Sequence, residues 1–464
     1  MKRIFILISV NFFIYSQSFS QVVTDIRSMS MGNTSVSESY DLGSFDLNPA
    51  NILNQRINNT APVYFNLFTN AGVLTSSDYL SVDFYNSYFA KDDNGNSQYL
   101  DNIDKLNIIS EASDQKSSYS AYATVLSVIV NTKSIGSFGL SLDERSTGNF
   151  TPSRDFLELG LYGNQLNRTY DLSENELNAY WIRELNLSYA KKFNLKNNNT
   201  FEEISFGASV KPQFGLYYFN TQSNNLYIYT DDSNVVHSSG EVEFLYAGLT
   251  DNNDFKYSAG NAGFGFGFDA GLNVRLKNFS KNGYFNLGLS ITDLGYINWN
   301  KNTNTYYNDG TYIITDITSK EQTDSLKDII KSTKTPVPSF TTGLPPVIRL
   351  GASYKIIDRV RGKDSLNTET ATIAVDYVQG LSENLGGSTI PLVGIGGEYN
   401  VSKVISPRAG FTFGGLQKFS FSIGLGINAG PVIIDIGTNN ISSIFTPNST
   451  TKFSAGFGIK YKVR

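Results

Sequence analysis

A strict two-residue alternation of side chains recurs along most of this sequence. Near the C-terminus, Phe419, Phe421, Ile423, Leu425 and Ile427 alternate with small or polar residues. Because successive side chains of a β-strand point to opposite faces, such a segment has one apolar face and one small, polar face. Many segments repeat the pattern, and no stretch of the sequence is suited to covering their apolar faces. The alternation predicts an all-β fold, a transmembrane antiparallel barrel whose apolar face meets lipid.

Charged residues within the alternating segments fall on the side of the small, polar residues. A charge on the lipid face costs about 2–4 kcal/mol at the bilayer midplane, so we expect these side chains to face the lumen. The candidates are Asp143, Glu203, Lys211, Asp269, Arg275, Arg349, Lys355 and Asp376. The favoured interpretation is paired charges that brace a closed barrel, and the alternative is the lining of a polar route.

About fifteen segments alternate, but single-chain bacterial barrels normally have an even number of strands. Assigning 78–90 to a loop leaves about fourteen strands within a barrel domain at 61–464, with both termini in the periplasm. It also places every long polar connection on the external side. These external loops are expected near 76–116, 147–177, 219–262 and 298–346. Short helices are expected within two of them, at Leu100–Glu111 and Ser319–Lys331.

The N-terminus has the features of an export signal. Lys2 and Arg3 precede an apolar run at 4–15, and Ser18-Phe19-Ser20 is a small-x-small cleavage site, so residues 1–20 are predicted as a signal peptide. The apolar run is too short for a membrane anchor, since a spanning helix needs about 20 residues. The polar segment that follows, at 21–60, is predicted as an N-terminal hatch or plug.

The amino-acid composition limits which classes of protein this chain can belong to. No later stretch suits a transmembrane helix, which leaves secreted, periplasmic and outer-membrane proteins. Aromatic residues make up 13% of the chain and 40 residues are glycine, as expected of a barrel with aromatic girdles and a small inner face. With no cysteine, the chain has no disulfide, thiolate metal site or lipoprotein anchor. A net charge of −5 without a long basic run argues against a nucleic-acid partner.

Candidate catalytic and metal sites are weak. His237, the only histidine, lies in a polar segment without a G-x-S-x-G elbow, so a solvated loop residue is the favoured interpretation. The glycine-rich run Gly263–Phe268 lacks the dinucleotide spacing, and its alternation simply continues. Asp92–Asn96 and Asp251–Asp254 could hold Ca²⁺, but turn-forming side chains explain both. We therefore predict no enzyme, cofactor or metal site.

Two short motifs resemble a known superfamily. The stretch Arg27–Val36 and the later Asn48-Pro49-Ala50 resemble the N-terminal hatch of the long-chain fatty-acid (FadL-like) transporters and of the related PorV-type barrel of type IX secretion. Arg349–Tyr354 and Arg408–Phe411 look like strand openings of that superfamily. The resemblance implies that Gly32, Asn48, Pro49 and Ala50 form a hatch motif.

A second resemblance covers most of the chain beyond residue 20. Asp155–Asn164, together with Glu184–Lys192, is similar to a Bacteroidota outer-membrane family of unknown function. It implies a fourteen-stranded barrel with a hatch, and it carries no assigned substrate.

Together these features predict residence in the outer membrane, with the lipid bilayer as the first partner. The function expected first is a passive channel for a small hydrophobic ligand. The alternative is a non-transporting barrel subunit, with protein partners, in a type IX secretion or outer-membrane assembly complex.

Overall fold

The computed structural model describes most of the chain. It covers residues 25–55, 60–91, 98–132, 134–195, 198–233, 235–248, 250–251, 254–255, 261–280, 282–308, 312–314, 333–359, 367–415 and 418–463. The expected signal peptide, the expected helix Ser319–Lys331 and the loop Asp92–Asn96 lie outside the described residues. The cleavage site and the domain boundaries stay predictions.

Fourteen antiparallel strands form one closed barrel. In chain order they are β1 Val63–Ser77, β2 Ser117–Asn131, β3 Ser137–Thr151, β4 Glu176–Asn194, β5 Phe201–Asn224, β6 Gly263–Ser280, β7 Gly283–Trp299, β8 Val347–Arg359, β9 Asn367–Gly380, β10 Leu392–Tyr399, β11 Ile405–Gly414, β12 Phe419–Ala429, β13 Val432–Thr438 and β14 Lys452–Val463. The barrel closes where β1 pairs with β14, with Val63 opposite Val463. The predicted fold class and even strand count are confirmed.

The direction of each strand decides at which end of the barrel the following connection lies. Because neighbouring strands are antiparallel, the longest connections, 78–116, 152–175, 225–262 and 300–346, all fall at one end. We call it the long-loop end. The opposite, short-turn end carries tight turns such as 132–136 together with both ends of the barrel chain.

The two faces of the wall differ as the alternation predicted. On β6, Phe264, Phe266 and Phe268 are exposed on the outer face, whereas Asp269 and Asn273 are buried on the inner face. This arrangement, apolar outside and polar inside, is typical of transmembrane β-barrels.

Helices occur at the N-terminus and in the connections. Within the described residues they are α1 Ile26–Met29, α2 Val82–Tyr88, α3 Asn102–Ala112, α4 Arg154–Tyr162 and α5 Ser442–Phe445, with 3₁₀ turns at Asp41–Ser44, Pro49–Asn51 and Asn384–Gly386. The segment 78–90 is therefore not a wall strand, as expected. The predicted helix at Leu100–Glu111 begins instead at Asn102, because Asp101 is its N-cap and forms a capping box with Asp104. Among the described residues, no helix has the length and apolar character needed to cross a bilayer.

The long-loop end is built up by further strands and by a small helical cluster. Val242–Gly248, Asn304–Asn308, Thr333–Pro336 and Phe340–Gly343 extend the barrel sheet. A separate four-stranded sheet contains Thr169–Asp171, Tyr227–Thr230, Val236–Ser239 and Tyr312–Ile314, and a small hairpin joins Thr250–Asp251 to Asp254–Phe255. Phe84 of α2 and Ile108 of α3 pack with Leu157 of α4 in an apolar cluster.

The pairing of wall strands is irregular at several places, and at two of them a residue has a positive φ. In β1 the register of pairing with β2 shifts between Leu67 and Asn70. The register of pairing with β14 shifts between Phe65 and Asn70. Phe68 at this bulge has a φ of 52° and is 73% exposed. In β7, Asp293 has a φ of 59°, and the pairing with β6 shifts beside it. Such bulges change the direction of side chains and the local twist of the strand.

Candidate functional site

Residues 25–55, which we call the N-terminal segment, pack against the inner face of the wall. The carboxylate of Asp376 on β9 accepts hydrogen bonds from the backbone N–H groups of Ser35 (2.5 Å) and Val36 (2.8 Å). On β7, the hydroxyl of Ser290 donates to the carbonyl of Leu47 (2.6 Å). The segment is thus held through its backbone by polar side chains of the lumen, which satisfies groups that burial would otherwise leave unpaired.

The predicted hatch residues Asn48, Pro49 and Ala50 lie where the segment packs closely against β5 and β6. The Asn48 amide accepts from the Ala50 N–H (3.0 Å) and donates to the Val36 carbonyl (2.7 Å) and to the Leu272 carbonyl of β6 (3.1 Å). A Cβ at Gly207 of β5 would overlap the backbone of Pro49 and Ala50. The wall therefore needs glycine here, because the two backbones approach closely.

Gly32 makes a second close approach, on the opposite part of the wall. Its φ is 66°, and a Cβ there would lie 2.5 Å from the carbonyl oxygen of Phe411 on β11 and 2.8 Å from that of Ile395 on β10. Both the positive φ and the lack of space favour glycine at this position.

A dense ion-pair network surrounds Lys211 of β5. Its ammonium group lies 2.9 Å from the carboxylates of Asp46 and Asp269, and 3.1 Å from those of Glu184 and Asp293. The guanidinium of Arg145 also contacts Glu184 and Asp293. We call these six residues the Lys211 network. The network joins five neighbouring wall strands, β3 to β7. Through Asp46 it also connects this part of the wall to the N-terminal segment.

A second network lies across the lumen, around Arg408 of β11. The Arg408 guanidinium contacts Glu398 of β10 and Asp435 of β13, both at 2.6 Å. Arg27 of the segment bonds to Glu398 (3.1 Å), and Lys460 of β14 lies 3.2 Å from Asp41 of the segment. We call this set, together with Glu38 beside Arg27, the Arg408 network. Both networks pair buried charges, which alone would be costly to bury.

The other predicted lumen residues are all buried or half-buried but do not form one site. Glu203 and Arg275 pair with each other (3.3 Å) near the short-turn end, and Lys355 pairs with Glu369 (3.6 Å). Arg349 donates to the hydroxyl of Thr292 (2.8 Å).

Asp143 lies apart from these pairs. It accepts from Ser141 (2.6 Å) and lines a small cavity of about 20 Å³ against the N-terminal segment. Of the predicted residues, only Lys211 and Asp269 share a network.

An apolar layer separates the Lys211 network from the long-loop end. Its buried members are Tyr180, Ile182, Ala247, Ala262, Ile297, Trp299, Leu344 and Leu385, with Tyr218 and Phe340 packed against them. Trp299 is the last residue of β7, and its ring lies 5.3 Å from that of Tyr218 and 6.2 Å from that of Phe340. The lumen is therefore apolar toward the long loops and charged toward its middle.

A cavity of about 460 Å³ lies over this layer at the long-loop end. Tyr180, Tyr218 and Leu385 of the apolar layer line it, together with polar side chains from β3, β4 and β5 and from the connections at 341–343 and 383–386. Cavities that bind small molecules commonly have volumes of about 300–1,000 Å³ and a few well-placed polar groups. This cavity fits both criteria.

The sequence of this barrel matches one family model. The model, described as a family of unknown function, DUF5723, covers residues 49–439. The chain belongs to this family. No curated protein matches the sequence significantly.

Several solved structures resemble this DUF5723 member. A TodX monoaromatic hydrocarbon channel deltaS2 mutant is 13% identical, with 95% of this chain and 99% of that chain covered and a TM-score of 0.50. The P. putida toluene transporter TodX is 12% identical (coverage 94% and 96%, TM-score 0.44). A Pseudomonas aeruginosa FadL homologue is 12% identical (97% and 100%, TM-score 0.41). The first similarity shows a shared fold. The Bacteroidota origin and the PorV-type relation stay predictions.

Of the remaining candidates in this DUF5723 member, two lie in loops and one is part of the wall. His237 is in the small loop sheet, and its Nε2 lies 2.9 Å from Asp231, whose pKa is held below its usual range by that hydrogen bond. Gly263–Phe268 is part of β6, as the alternation predicted. Asp251 and Asp254 pair in the small loop hairpin. The prediction that the protein is not an enzyme stays a prediction.

Sequence reasoning missed most members of both networks. Several missed residues lie on the small, polar side of their strands, and the rule that charges on this side face the lumen could have found them. They are Glu184, Glu398, Arg408, Asp435 and Lys460. Their partners in the N-terminal segment carry no such signal, because that segment has no regular period.

Proposed function

We propose that this barrel resides in the outer membrane and lets small hydrophobic compounds pass through it without an energy source. The observation that carries the proposal is the apolar layer that lies between the long-loop end and the charged Lys211 network. A lumen that served water-soluble solutes would not need buried Trp299 and Ile297 across its opening. The fold shared with a monoaromatic hydrocarbon channel supports the same proposal.

The proposed route begins at the long-loop end. A compound is captured in the cavity of about 460 Å³ and reaches the apolar layer that forms its floor. Further passage requires the N-terminal segment to move, because that segment occupies the lumen beside both charge networks. The motif Asn48-Pro49-Ala50 is the proposed hinge of that movement, since it joins the segment to β6.

Exit occurs through the lumen or through the wall. For the wall, β1 is the proposed place, because its pairing shifts toward both neighbours around Phe68. There the backbone hydrogen bonds that hold a barrel closed are locally interrupted.

Uptake into liposomes tests the proposal. Liposomes containing the barrel should admit a hydrophobic fluorescent probe faster than empty liposomes, and removal of residues 21–60 should change that rate. A charged dye of similar size is the control, which distinguishes selective passage from a leak. Permeability that equals that of empty liposomes for every probe would overturn the proposal. A stoichiometric large partner in mild-detergent pulldown, with no uptake, would instead favour the secretion or assembly subunit.

A further inference from the structure

The cavity at the long-loop end has more polar chemistry than capture of a pure hydrocarbon requires. Its floor is apolar, formed by Tyr180, Tyr218 and Leu385. Its walls carry amide, hydroxyl and carboxylate side chains, among them Asn149, Glu176, Thr342 and Glu383. A ligand that fills the whole cavity therefore meets an apolar surface on one side and hydrogen-bonding groups on the other.

Asn149 of β3 is the most informative of these groups. It is 4% exposed, and neither the oxygen nor the nitrogen of its amide has a hydrogen-bond partner among the residues that the structure describes. A buried amide without partners lowers the stability of the fold, because its N–H and C=O groups have lost their bonds to water. Asn149 lines the cavity but its amide atoms are covered, so a ligand group that both donates and accepts hydrogen bonds would satisfy them once the side chain turns toward the cavity.

The charge of the cavity limits what that group can be. Its charged lining residues are Glu176 and Glu383, and no Lys, Arg or His lines it in the described part of the chain. Lys116 interacts electrostatically with both carboxylates from outside the lining. With two acidic groups and one nearby cation, the cavity disfavours a carboxylate headgroup.

We propose that this cavity selects uncharged amphiphiles, which have an apolar body and a neutral hydroxyl or amide headgroup, over both hydrocarbons and fatty carboxylates. The apolar body lies on the floor formed by Tyr180, Tyr218 and Leu385. The headgroup bonds to Asn149. This inference rests on the proposed function and names the ligand class of its capture site.

Three probes with the same body test the selection: butylbenzene, 4-phenylbutanamide and 4-phenylbutanoate. The chain has two tryptophans, and Trp181→Phe leaves Trp299, whose indole N–H bonds to Thr342 of the cavity (2.9 Å). Emission of Trp299 in the purified, detergent-solubilised barrel then reports binding. The amide should bind about threefold to tenfold more tightly than butylbenzene, the gain expected from one neutral hydrogen bond. The carboxylate should bind more weakly than the amide.

Two variants test which residues cause these differences in probe affinity. Asn149→Leu should remove the preference for the amide and leave binding of butylbenzene unchanged or tighter. Glu176→Gln combined with Glu383→Gln should bring 4-phenylbutanoate closer to the amide. The matched control is Asn286→Leu, which changes a lumen asparagine that bonds to Arg275 far from the cavity, and should alter none of the affinities.

The outcomes separate this inference from the proposed function. Equal binding of butylbenzene and the amide, or tighter binding of the carboxylate, would overturn the selection while leaving a hydrophobic channel intact. A preference for the amide that survives Asn149→Leu would also overturn it. If none of the three probes binds, both the inference and capture in this cavity fail.

Discussion

The carboxylate of Asp376 in the wall bonds to the backbone N–H of Val36, 340 residues earlier in the chain, at 2.8 Å. A second hydrogen bond reaches the neighbouring Ser35 N–H. The bonds hold the backbone of the N-terminal segment rather than any one of its side chains. Any residue except proline at positions 35 and 36 therefore supplies the same donors.

Asp376→Ala should loosen the N-terminal segment without opening the barrel. Each hydrogen bond to a charged group contributes about 1.5–3 kcal/mol, so amide exchange at Ser35 and Val36 should become faster. Hydrogen–deuterium exchange of the folded barrel measures this. Asp78→Ala, which removes an exposed carboxylate paired with Lys418, is the control. Unchanged exchange at Ser35 and Val36 would contradict the assigned role of Asp376.

Gly207→Val should displace the Pro49–Asn51 turn, because a Cβ at this position overlaps the backbone of Pro49 and Ala50. Overpacking of this kind costs about 1–3 kcal/mol. Single-channel conductance should rise or become noisier as the segment shifts, and the urea midpoint of unfolding should fall. Gly160→Ala is the matched control, since no atom lies within 4 Å of a Cβ built there. If both variants behave alike, close packing at Gly207 is not what positions the turn.

Lys211→Met should be strongly destabilising. It removes the ammonium group that four carboxylates share, and breaking a buried ion pair from one side costs about 3–5 kcal/mol. Urea unfolding followed by tryptophan emission measures the loss. Lys418→Met, which breaks an exposed pair at 3.5 Å, should change the free energy of unfolding by less than about 1 kcal/mol. A loss of similar size in both variants would mean that the Lys211 network does not brace the barrel.

Deletion of Phe68 and Thr69 tests exit through the wall. The deletion removes the two extra residues of β1 relative to β14, so the pairing on that side can continue without interruption. If compounds leave through this part of the wall, uptake into liposomes should slow while the barrel stays folded by heat-modifiable gel mobility. Phe138→Ala, at an exposed aromatic position on the outer face of β3, is the control. Full uptake by the deletion variant would favour exit through the lumen.

The wall could be predicted from the sequence, because alternation repeats with a fixed period of two wherever one face is apolar. The rule fails where the backbone departs from that period. On β7 the inward residues are even-numbered as far as Thr292 and odd-numbered from Asp293, since the bulge at Asp293 shifts the alternation by one residue. Asp293, a central member of the Lys211 network, was missed for this reason.

The contents of the lumen were harder to predict. The N-terminal segment contains short turns rather than a long helix or strand, so no periodic pattern shows which side chains it presents. Its contacts with Asp376, Glu398 and Lys460 join residues that are hundreds of positions apart. Contacts between such distant positions cannot be predicted from local patterns in a single sequence. The resemblance at Asn48-Pro49-Ala50 indicated that the segment matters, but not what it contacts.

The ion pair between Asp41 and Lys460 has a consequence for how the chain folds. These residues lie 419 positions apart, so the part of the barrel chain that is synthesised first cannot complete its contacts until the last strand is in place. Long-range contacts of this kind slow folding, because the chain must be ordered before they form. Until then, Asp41 and Lys460 each lack this partner. Packing of the N-terminal segment and completion of the last strand are therefore coupled steps, and a chain truncated before Lys460 would lose one of the contacts that hold this segment in the lumen.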